Sequence, residues 1–451
     1  MKQVGFHLVS LGCAKNTVDS ESMAGLLRQA GFEAILLPEE ADILIVNTCG
    51  FIAPAREESF RVLRELAEAK RPGQLLIAAG CMTQRYGSEV IDRVPGIDGL
   101  LGTRRWMDIV HVVRKLRRGP HPLPVYHLPD TPTVGQDEGD LPRVAIQGHS
   151  AYLKIADGCR RPCAFCAIPL IKGTAVSRPP ETILDEARRL EQQGVREVIL
   201  IAQDTTDYGH DLGLKNGLAD LLERIATQAR GIDWIRLLYA YPGNVTERLI
   251  EVMAEHPAIL PYLDMPLQHG DRQVLKRMRR PANVDWVRNT VAKMRRAMPD
   301  LALRSTFLVG YPGESEAEFQ TLLDFVAEMR FDRLGCFTFS FEPGTTSEAL
   351  GDPIPEEVKQ ERRARLMTLQ QSISLEKNQG LVGKTLPVLV EGYDNGISIG
   401  RSYRDAPEID GLVLIEGEVP VGEIVPGRIT GAMAYDLTGT VEIGEPQIVR
   451  V

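Results

Sequence analysis

The sequence has no long hydrophobic run and no surplus of positive charge. Its apolar runs, such as Val198–Ala202, are far shorter than the roughly 20 residues that cross a bilayer. Met1–Gly12 has one lysine and then becomes polar, unlike an export signal, so we expect a cytoplasmic protein. The net charge of −9 disfavours a protein that clamps RNA by bulk electrostatics, because such proteins are usually basic.

The sequence contains seven cysteines, an odd number that argues against a disulfide framework in a chain with no export signal. In a reducing compartment, a cysteine is either a buried apolar residue or a ligand. Hydrophobic residues make up 43% and charged residues 25%, which is ordinary for a globular protein. The 451 residues suffice for two to four domains with at least one large core.

Residues 1–117 alternate short apolar runs with stretches of helical spacing, which predicts a doubly wound, parallel α/β domain. Each of its three clearest strands runs into a cysteine, namely Cys13, Cys49 and Cys81, about one βα unit apart. Ligands bind at the carboxyl ends of strands in such sheets, so these three cysteines should converge in one crevice. The alternative is three separate buried core cysteines.

The rest of the chain divides into three parts. Residues 118–148 contain six prolines and are predicted to form an extended linker. Residues 149–379 contain about six strands alternating with amphipathic helices, which predicts an open, partial (βα)6 barrel whose strand ends form the active face. Residues 380–451 contain short strands cut by glycines and prolines, and predict a small OB-like β-barrel.

The strongest chemical signal is a C-x3-C-x2-C motif formed by Cys159, Cys163 and Cys166, just after the first strand of the second domain. A zinc site requires a fourth ligand, and the nearest candidate, His149, precedes that strand. Four-iron clusters are normally held by four thiolates. Three thiolates on one loop therefore predict a cluster with one iron open to a substrate or cofactor.

This motif and the partial barrel resemble the radical S-adenosylmethionine superfamily. The resemblance implies that the open iron binds the amino and carboxylate groups of S-adenosylmethionine, and that one electron cleaves this cofactor to give a deoxyadenosyl radical. Such a radical activates C–H bonds that no side-chain acid or base could. A rival of another class is an iron–sulfur electron carrier without catalysis, which the partial barrel disfavours because an electron carrier needs no substrate cavity.

Almost the whole chain is similar to the methylthiotransferase family, which has an amino-terminal cysteine domain, a radical domain and a TRAM domain. The resemblance implies a second, auxiliary 4Fe-4S cluster on Cys13, Cys49 and Cys81, whose free iron holds the sulfur that is methylated and transferred. Cys336 matches neither triad and is expected to be a core residue. The matching stretches are Ser10-Leu-Gly-Cys-Ala-Lys-Asn, Asn47-Thr-Cys-Gly-Phe, Ala79-Gly-Cys-Met, Cys166-Ala-Ile-Pro-Leu-Ile-Lys-Gly, Ser177-Arg-Pro, Pro266-Leu-Gln-His-Gly and Val309-Gly-Tyr-Pro-Gly-Glu.

S-adenosylmethionine also needs contacts to its adenine, ribose and methionine ends, and residues at strand ends are the natural candidates. Asp204 and Gln268 could instead only cap local turns, and Gly310 could belong to a plain turn before a helix. The candidates are Phe165, Gln203, Asp204, Gln268, Arg304 and Gly310.

The methylthiotransferase family has two branches. One modifies an adenosine in tRNA, and the other, the RimO type, modifies the β-carbon of an aspartate in ribosomal protein S-twelve of the small subunit. Three segments resemble the second branch. They are Asn16-Thr-Val-Asp-Ser-Glu, Ala202-Gln-Asp-Thr-Thr-Asp-Tyr-Gly and Leu238-Tyr-Ala-Tyr-Pro.

The charge of residues 380–451 favours the same branch. This segment has five basic and eleven acidic residues, and its only aromatic residues are Tyr393, Tyr403 and Tyr435. An RNA-binding barrel presents a basic groove with stacking aromatics, so direct RNA binding is not expected. Ribosomal proteins are rich in lysine and arginine, and an acidic docking domain suits one of them. The alternative is a merely solvated acidic surface.

The resemblance implies a reaction in two phases. One S-adenosylmethionine methylates sulfur on the auxiliary cluster. A second is cleaved at the radical cluster, and the β-carbon of the target aspartate loses a hydrogen and gains the methylthio group. The expected partners are S-twelve, free or within the small ribosomal subunit, and an electron donor such as flavodoxin or ferredoxin. We predict no membrane partner and no catalytic side chain beyond the six cluster ligands.

Overall fold

The first unit is a parallel sheet with helices on both faces. The protein is described by a computed structural model, which covers residues 3–119, 124–128 and 148–441. The strands are β1 (Gly5–Ser10), β2 (Glu33–Ala34), β3 (Ile43–Thr48), β4 (Leu75–Gly80), β5 (Gly99–Gly102) and β6 (Val125–His127). The helices are α1 (Ala14–Gln29), α2 (Ala53–Ala69), α3 (Cys81–Tyr86), α4 (Glu89–Arg93) and α5 (Ile109–Leu116), with a 3-10 turn over Thr103–Asp108.

The apolar run of β3 shows why this unit is doubly wound. All six of its residues are buried, and successive side chains point to opposite faces of the sheet. Ile43 and Ile45 pack into one apolar cluster with α1 and α5, whereas Leu44 and Val46 pack into another with α2 and α4. The strands lie in the order β2-β1-β3-β4-β5-β6, and every neighbouring pair is parallel. The predicted doubly wound α/β domain is therefore confirmed.

Strand β6 lies within the predicted linker. Val125 and His127 pair in parallel register with Gly99 and Leu101 of β5, so the sheet extends to residue 127. The sequence interpretation missed this three-residue strand because four prolines surround it. Most of the remaining predicted linker, including residues 129–147, lies outside the described residues. The division of the chain at residues 117, 148 and 379 stays a prediction.

The second unit is an open parallel sheet wrapped by helices. Its strands are β7 (Ser150–Lys154), β8 (Ala156–Asp157), β9 (Val176–Ser177), β10 (Glu197–Ile201), β11 (Trp234–Leu237), β12 (Ile259–Asp264), β13 (Ala302–Val309) and β14 (Arg333–Thr338). Its helices are α6 (Ile168–Lys172), α7 (Pro180–Gln192), α8 (Gly217–Gln228), α9 (Glu247–Glu255), α10 (Arg272–Arg277), α11 (Val284–Ala297), α12 (Glu316–Met329) and α13 (Glu356–Gln379), with 3-10 turns over Thr205–Asp207 and Thr346–Leu350.

The six long strands of this unit are ordered β14-β13-β12-β11-β10-β7 and all run in parallel. Strands β7 and β14 form opposite edges, so the sheet stays open, as the partial (βα)6 barrel requires, while β8 and β9 form a separate antiparallel pair. The predicted six-stranded architecture is confirmed. No helix among the described residues is both long and apolar enough to cross a membrane.

The third unit is a closed five-stranded barrel. Its strands are β15 (Thr385–Asp394), β16 (Ile397–Ser402), β17 (Val413–Glu416), β18 (Ile424–Ala432) and β19 (Leu437–Val441). They close in the order β15-β16-β17-β19-β18, and the parallel pair β17 and β19 is flanked by antiparallel pairs. The predicted OB-like barrel is confirmed, although its last strand begins three residues before the predicted Thr440.

The small barrel packs on the concave side of the open sheet. Tyr152, Ile199 and Tyr262 alternate with residues that face the helices, and they join the apolar cluster that fills the small barrel, including Leu389 and Val413. Burial of this apolar surface fixes the third unit against the second. The first unit packs against the open sheet through α1, which contacts β7.

Candidate active site

Three cysteines follow adjacent strands of the first sheet. Cys13 caps the amino terminus of α1 just beyond β1, Cys49 directly follows β3, and Cys81 directly follows β4 and begins α3. Because β3 pairs with both β1 and β4, all three residues lie at one edge of the sheet. Gly12, with a φ of +94°, lets its loop approach so closely that a Cβ there would lie 3.0 Å from Cys49 Sγ. The sheet therefore gathers the amino-terminal triad, as the sequence predicted.

Burial keeps two of these thiols protonated in the absence of a metal. Burial raises the pKa of Cys49 to about 11, and the pKa of Cys81 rises further for the same reason. Cys13 is exposed. Coordination by a metal would deprotonate such thiols outright. The donor set therefore suits a group that binds thiolates and excludes water around them.

Buried amides hold the loops that carry this triad. Asn16 donates from Nδ2 to the carbonyl oxygens of Leu11 and Thr48, at 2.9 and 3.0 Å. Asn47 in turn donates to the carbonyl of Asn16 at 2.9 Å. Neither role could be predicted from the motifs that contain these asparagines, because their partners are up to 32 residues away in the chain.

The second triad lies on the loop between β8 and α6. Gly158 has a φ of +77°, and a Cβ on it would lie 2.1 Å from the Thr174 carbonyl oxygen, so only glycine fits this turn. The backbone of Cys159 donates to the Gly173 carbonyl at 3.0 Å, which closes the loop around the motif. Burial raises the pKa of Cys159 to about 11 and that of Cys166 to about 12.

Two guanidinium groups flank the second triad. Arg161 and Arg280 each lie 4.3 Å from the centroid of the Tyr241 ring, and Arg280 donates to Cys163 Sγ at 3.6 Å. Positive charge beside a thiol favours its thiolate form. The site thus offers three thiols with adjacent cations, which suits an anionic iron–sulfur group.

No three histidine, cysteine, aspartate or glutamate side chains in the described part of the chain are arranged to hold one metal ion. Each thiolate of a four-iron cluster ligates a different iron, so a cluster spaces its ligands more widely than a single ion does. A structural zinc site requires four ligands, whereas each triad supplies three cysteines. Cys336 is buried on β14 in the core between the open sheet and its helices, as expected.

The two triads lie on facing surfaces of the first and second units. Cys81 packs against Ala167 and Ile171, which flank the second triad on the side of α6. Below them, Lys154 and Lys172 of the second unit both pair with Asp19 of α1 and with Asp157 of β8.

The Lys172 Nζ lies 2.8 Å from Asp157 and 3.4 Å from Asp19. Burial alone would raise the pKa of Asp157, but Lys172 and Lys154 hold it well below its usual range, so the carboxylate stays ionised. These buried charges join the two units beside the motifs. They could not be predicted from the sequence, because the partners are up to 153 residues apart.

The candidate contacts for S-adenosylmethionine differ in whether their polar atoms already have hydrogen-bond partners within the protein. Gln203 donates from Nε2 to Asp157 at 2.8 Å, while its buried Oε1 has no hydrogen-bond partner, as expected of an acceptor that awaits a ligand. Gln268 has a φ of +75°, and its backbone bonds with Thr306 and Leu308 of β13. Phe165 is half-buried against an apolar cluster that includes Leu308.

Two other candidates are already engaged within the protein. Asp204 accepts from Arg161 at 2.6 Å and from Thr206 at 2.6 Å, so it orients the cluster loop. Gly310 has a φ of +73°, and a Cβ on it would lie 2.4 Å from Cγ of Lys359. The close approach at Gly310 is therefore made by α13, which accounts for this glycine without a cofactor.

The expectation that Arg304 lies at a strand end is wrong. Arg304 is the third residue of the eight in β13, and its guanidinium binds Asp264 at 2.9 Å and Asp410 of the small barrel at 3.3 Å. Its charge therefore stabilises the contact between the second and third units. This pairing could not be predicted from the sequence, because Asp410 is 106 residues away.

Family models match the chain in three consecutive segments. Residues 5–102 match a family described as Uncharacterized protein family UPF0004, residues 153–326 match the Radical SAM superfamily, and residues 382–441 match the TRAM domain. A radical SAM superfamily protein carries a 4Fe-4S cluster and uses S-adenosylmethionine, and the second triad lies within that segment.

Among solved structures, the chain is similar to the radical S-adenosylmethionine methyltransferase TsrM from Kitasatospora setae, with cobalamin and a 4Fe-4S cluster bound. The TM-score is 0.57 at 13% sequence identity, and the match covers 88% of this chain and 81% of that one. At this identity the similarity shows the fold alone.

Several relatives are similar over almost their full length. The "Ribosomal protein uS12 methylthiotransferase RimO" of Chloroflexus aurantiacus is 51% identical over 450 residues, covering 96% of this chain and 99% of the relative. The protein of the same name from a Roseiflexus species is 48% identical, covering 96% of each chain. With three matching segments in the same order and half of all residues identical, this chain belongs to the RimO family of ribosomal protein uS12 methylthiotransferases.

Proposed function

We propose that this enzyme attaches a methylthio group to the β-carbon of an aspartate in uS12, the small-subunit protein S-twelve, with S-adenosylmethionine and two 4Fe-4S clusters. The observation that carries the proposal is the pair of cysteine triads on facing surfaces of two units. The names of relatives that share about half of the sequence support the substrate.

The two triads would hold the two clusters. Cys159, Cys163 and Cys166 would ligate the radical cluster, and the auxiliary cluster would lie on the residues that follow β1, β3 and β4. When bound, these groups supply one-electron cleavage of S-adenosylmethionine and a place for the transferred sulfur. The chain holds each triad of cysteines at the carboxyl-terminal edge of a sheet, and three cysteines would leave one iron of each four-iron cluster without a protein ligand.

The residues around the radical triad would orient S-adenosylmethionine. Gln203 presents a buried, unpartnered Oε1, and Asp157 fixes the side chain in that orientation by accepting from Nε2. Phe165 and Gln268 remain candidates from the same edge of the barrel. Asp204 would not contact S-adenosylmethionine directly. It would act by holding Arg161, which stacks on Tyr241.

The first unit would close the barrel over the reaction. Lys154 and Lys172 reach Asp19 on α1, with all three side chains at most 4% exposed. A buried charge network of this kind is costly to open, since separated partners would be left uncompensated. It would keep water from a reactive carbon radical.

The surface of the small barrel supports uS12 rather than tRNA as the substrate. Among its described residues, Asp405 and Asp410 are buried against arginines of the second unit, so they do not contribute to the exposed charge. Of its tyrosines, Tyr403 is buried, which leaves few rings for base stacking. Its exposed basic residues are Lys384 and Arg428, and its exposed acidic residues are Glu391, Asp394, Glu408, Glu416, Glu418 and Glu423.

An electron must also reach the site, because cleavage of S-adenosylmethionine consumes one. We include a small one-electron donor such as flavodoxin or ferredoxin in the proposal.

Anaerobic reconstitution with iron and sulfide, followed by incubation with S-adenosylmethionine, a reductant and purified uS12, tests the proposal. Mass spectrometry should show one methylthio group on a single aspartate of uS12 and none on bulk tRNA in a parallel reaction. Cys166→Ser should abolish the product. Modification of tRNA with unmodified uS12 would instead favour the other branch of the family.

A further inference from the structure

Lys15 occupies an unusual position between the two triads. It is the second residue of α1, two residues after Cys13, and only 8% of it is exposed. Its Nζ lies 3.1 Å from the centroid of the Tyr239 ring, so the ammonium group sits on an aromatic face. Tyr239 lies two residues after the end of β11 and has a φ of +62°.

Within the described residues, the other buried cations of this region already have carboxylate partners. Lys154 and Lys172 share Asp19 and Asp157, and Arg304 binds Asp264 and Asp410. Among the residues that the structure describes, Lys15 has no carboxylate within 4.0 Å of Nζ and no side-chain hydrogen bond, and its contact is with the Tyr239 ring. A buried cation without an anion costs free energy, so this arrangement is expected where a ligand supplies the anion.

The carboxylates nearest to Lys15 are engaged elsewhere. Asp264 accepts from Arg304 and from the backbone of Tyr239, and Asp157 accepts from Lys172 and Gln203. Neither can turn to Lys15 without leaving another buried donor unpaired. Both carboxylates are therefore unavailable to Lys15, and its ammonium group can bind the carboxylate of a ligand beside the amino-terminal triad.

The segment that contains Tyr239 and Tyr241 connects the surroundings of the two triads. Tyr239 contacts Lys15, which lies two residues after Cys13 of the amino-terminal triad. Tyr241 contacts the groups around Cys163. Residues 239 and 241 are at most about 7 Å apart along the backbone. A ligand held by Lys15 therefore lies between the two predicted clusters.

We propose that the Lys15 ammonium binds the side-chain carboxylate of the target aspartate and thereby selects aspartate over asparagine. The inference rests on the proposed function. The carboxylate is bonded directly to the β-carbon, so anchoring it at Lys15 places that carbon between the triads. An asparagine amide carries no charge and cannot compensate the ammonium, which gives the site its selectivity.

The first arm of the test uses the reconstituted wild-type enzyme with uS12 and with a uS12 variant whose target aspartate is replaced by asparagine. We expect kcat/KM for cleavage of S-adenosylmethionine stimulated by the substrate to be at least about tenfold higher with aspartate. Equal values would overturn the proposal. If wild-type enzyme does not modify uS12 at all, the proposed function fails instead.

The second arm compares Lys15→Met, which keeps the length of the side chain, with Lys15→Arg, which keeps its charge. Lys15→Met should raise KM for uS12 about tenfold and bring the ratio of the two substrates close to one, whereas Lys15→Arg should keep a preference for aspartate. The ratio is measured on a single preparation, so it does not depend on the fraction of enzyme that carries both clusters. A Lys15→Met enzyme that keeps the wild-type ratio would show that Lys15 only supports Tyr239.

Discussion

Arg401 of the small barrel donates a 2.5 Å hydrogen bond to Glu197 at the start of β10. Glu197 also accepts from Arg236 at 2.7 Å and from Ser150 at 2.9 Å, and both arginines are almost fully buried. Burial alone would raise the pKa of Glu197, but the two guanidinium groups lower it to about 2. This carboxylate therefore joins the second and third units as an anion.

Glu197→Gln should destabilise the enzyme at neutral pH by about 3 to 5 kcal/mol, because the buried guanidinium of Arg236 loses its carboxylate partner and Arg401 keeps only Glu391. The folded pKa lies below the usual value of 4.5, so the stabilisation is fully present above pH 4.5 and is lost as the pH falls toward 2. The difference between wild type and variant in urea unfolding, followed by tryptophan fluorescence, should shrink over that interval.

Glu247→Gln serves as the control for this prediction, because Glu247 pairs with Lys293 on the surface at 2.6 Å. Its urea midpoint should match that of wild type. A difference between wild type and Glu197→Gln that stays constant from pH 7 to pH 3 would contradict the ionised state of Glu197.

The two triads should each account for half of the iron. We expect about eight irons per chain in the reconstituted wild type and about four in either Cys81→Ala or Cys166→Ala, since each triad holds one four-iron cluster. Cys336→Ala should keep about eight, because Cys336 is a core residue. Iron analysis and electron paramagnetic resonance of the reduced proteins provide the measurement, and a full iron content in Cys81→Ala would exclude the auxiliary site.

Gly158→Ala should disrupt the radical triad specifically. Gly158 and Gly213 have nearly the same φ, +77° and +74°, so alanine at either position costs about 1 to 2 kcal/mol of backbone strain. Only at Gly158 would the Cβ collide with a backbone oxygen, whereas Gly213 has open space. Iron content should fall to about four in Gly158→Ala and stay at about eight in Gly213→Ala. Equal iron contents would show that the turn does not control the cluster loop.

The acidic surface of the small barrel should increase the affinity of the enzyme for uS12. Glu416 and Glu418 are exposed beside the turn between β15 and β16, since Ile397 forms a bridge with Gly417. Replacing both glutamates with lysine should raise KM for uS12 about tenfold at low ionic strength and less at high salt. Replacing Glu57 and Glu65 on α2 with lysine changes the net charge by the same amount and should have little effect on KM for uS12. Equal effects of the two pairs would mean that only net charge matters.

Much of this arrangement could be predicted from the sequence because it is local. An apolar run followed by a cysteine predicts both a strand and a residue at its carboxyl end, and that reasoning placed Cys13, Cys49 and Cys81 at one edge. The spacing of Cys159, Cys163 and Cys166 likewise predicts a loop with three ligands. In each case the signal lies within about ten residues, where backbone geometry fixes the outcome.

The features that the sequence did not reveal depend on partners far apart in the chain. Arg304 was predicted as a strand-end residue, but its place is set by Asp410, 106 residues later. The pairing of Lys154 with Asp19 spans 135 residues. Strand β6 was missed because a three-residue edge strand among prolines has no periodicity of its own. Long-range packing decides such cases, and one sequence carries no record of it.

The assignment of uS12 as the substrate can be tested in a bacterium whose own uS12 methylthiotransferase gene has been deleted. Expression of this chain should restore one methylthio group on the target aspartate of uS12, detected by mass spectrometry of ribosomal proteins, and should leave the methylthio content of bulk tRNA unchanged. Unmodified uS12 despite expression of a protein that carries both clusters, or a gain of methylthio groups in tRNA, would contradict the account.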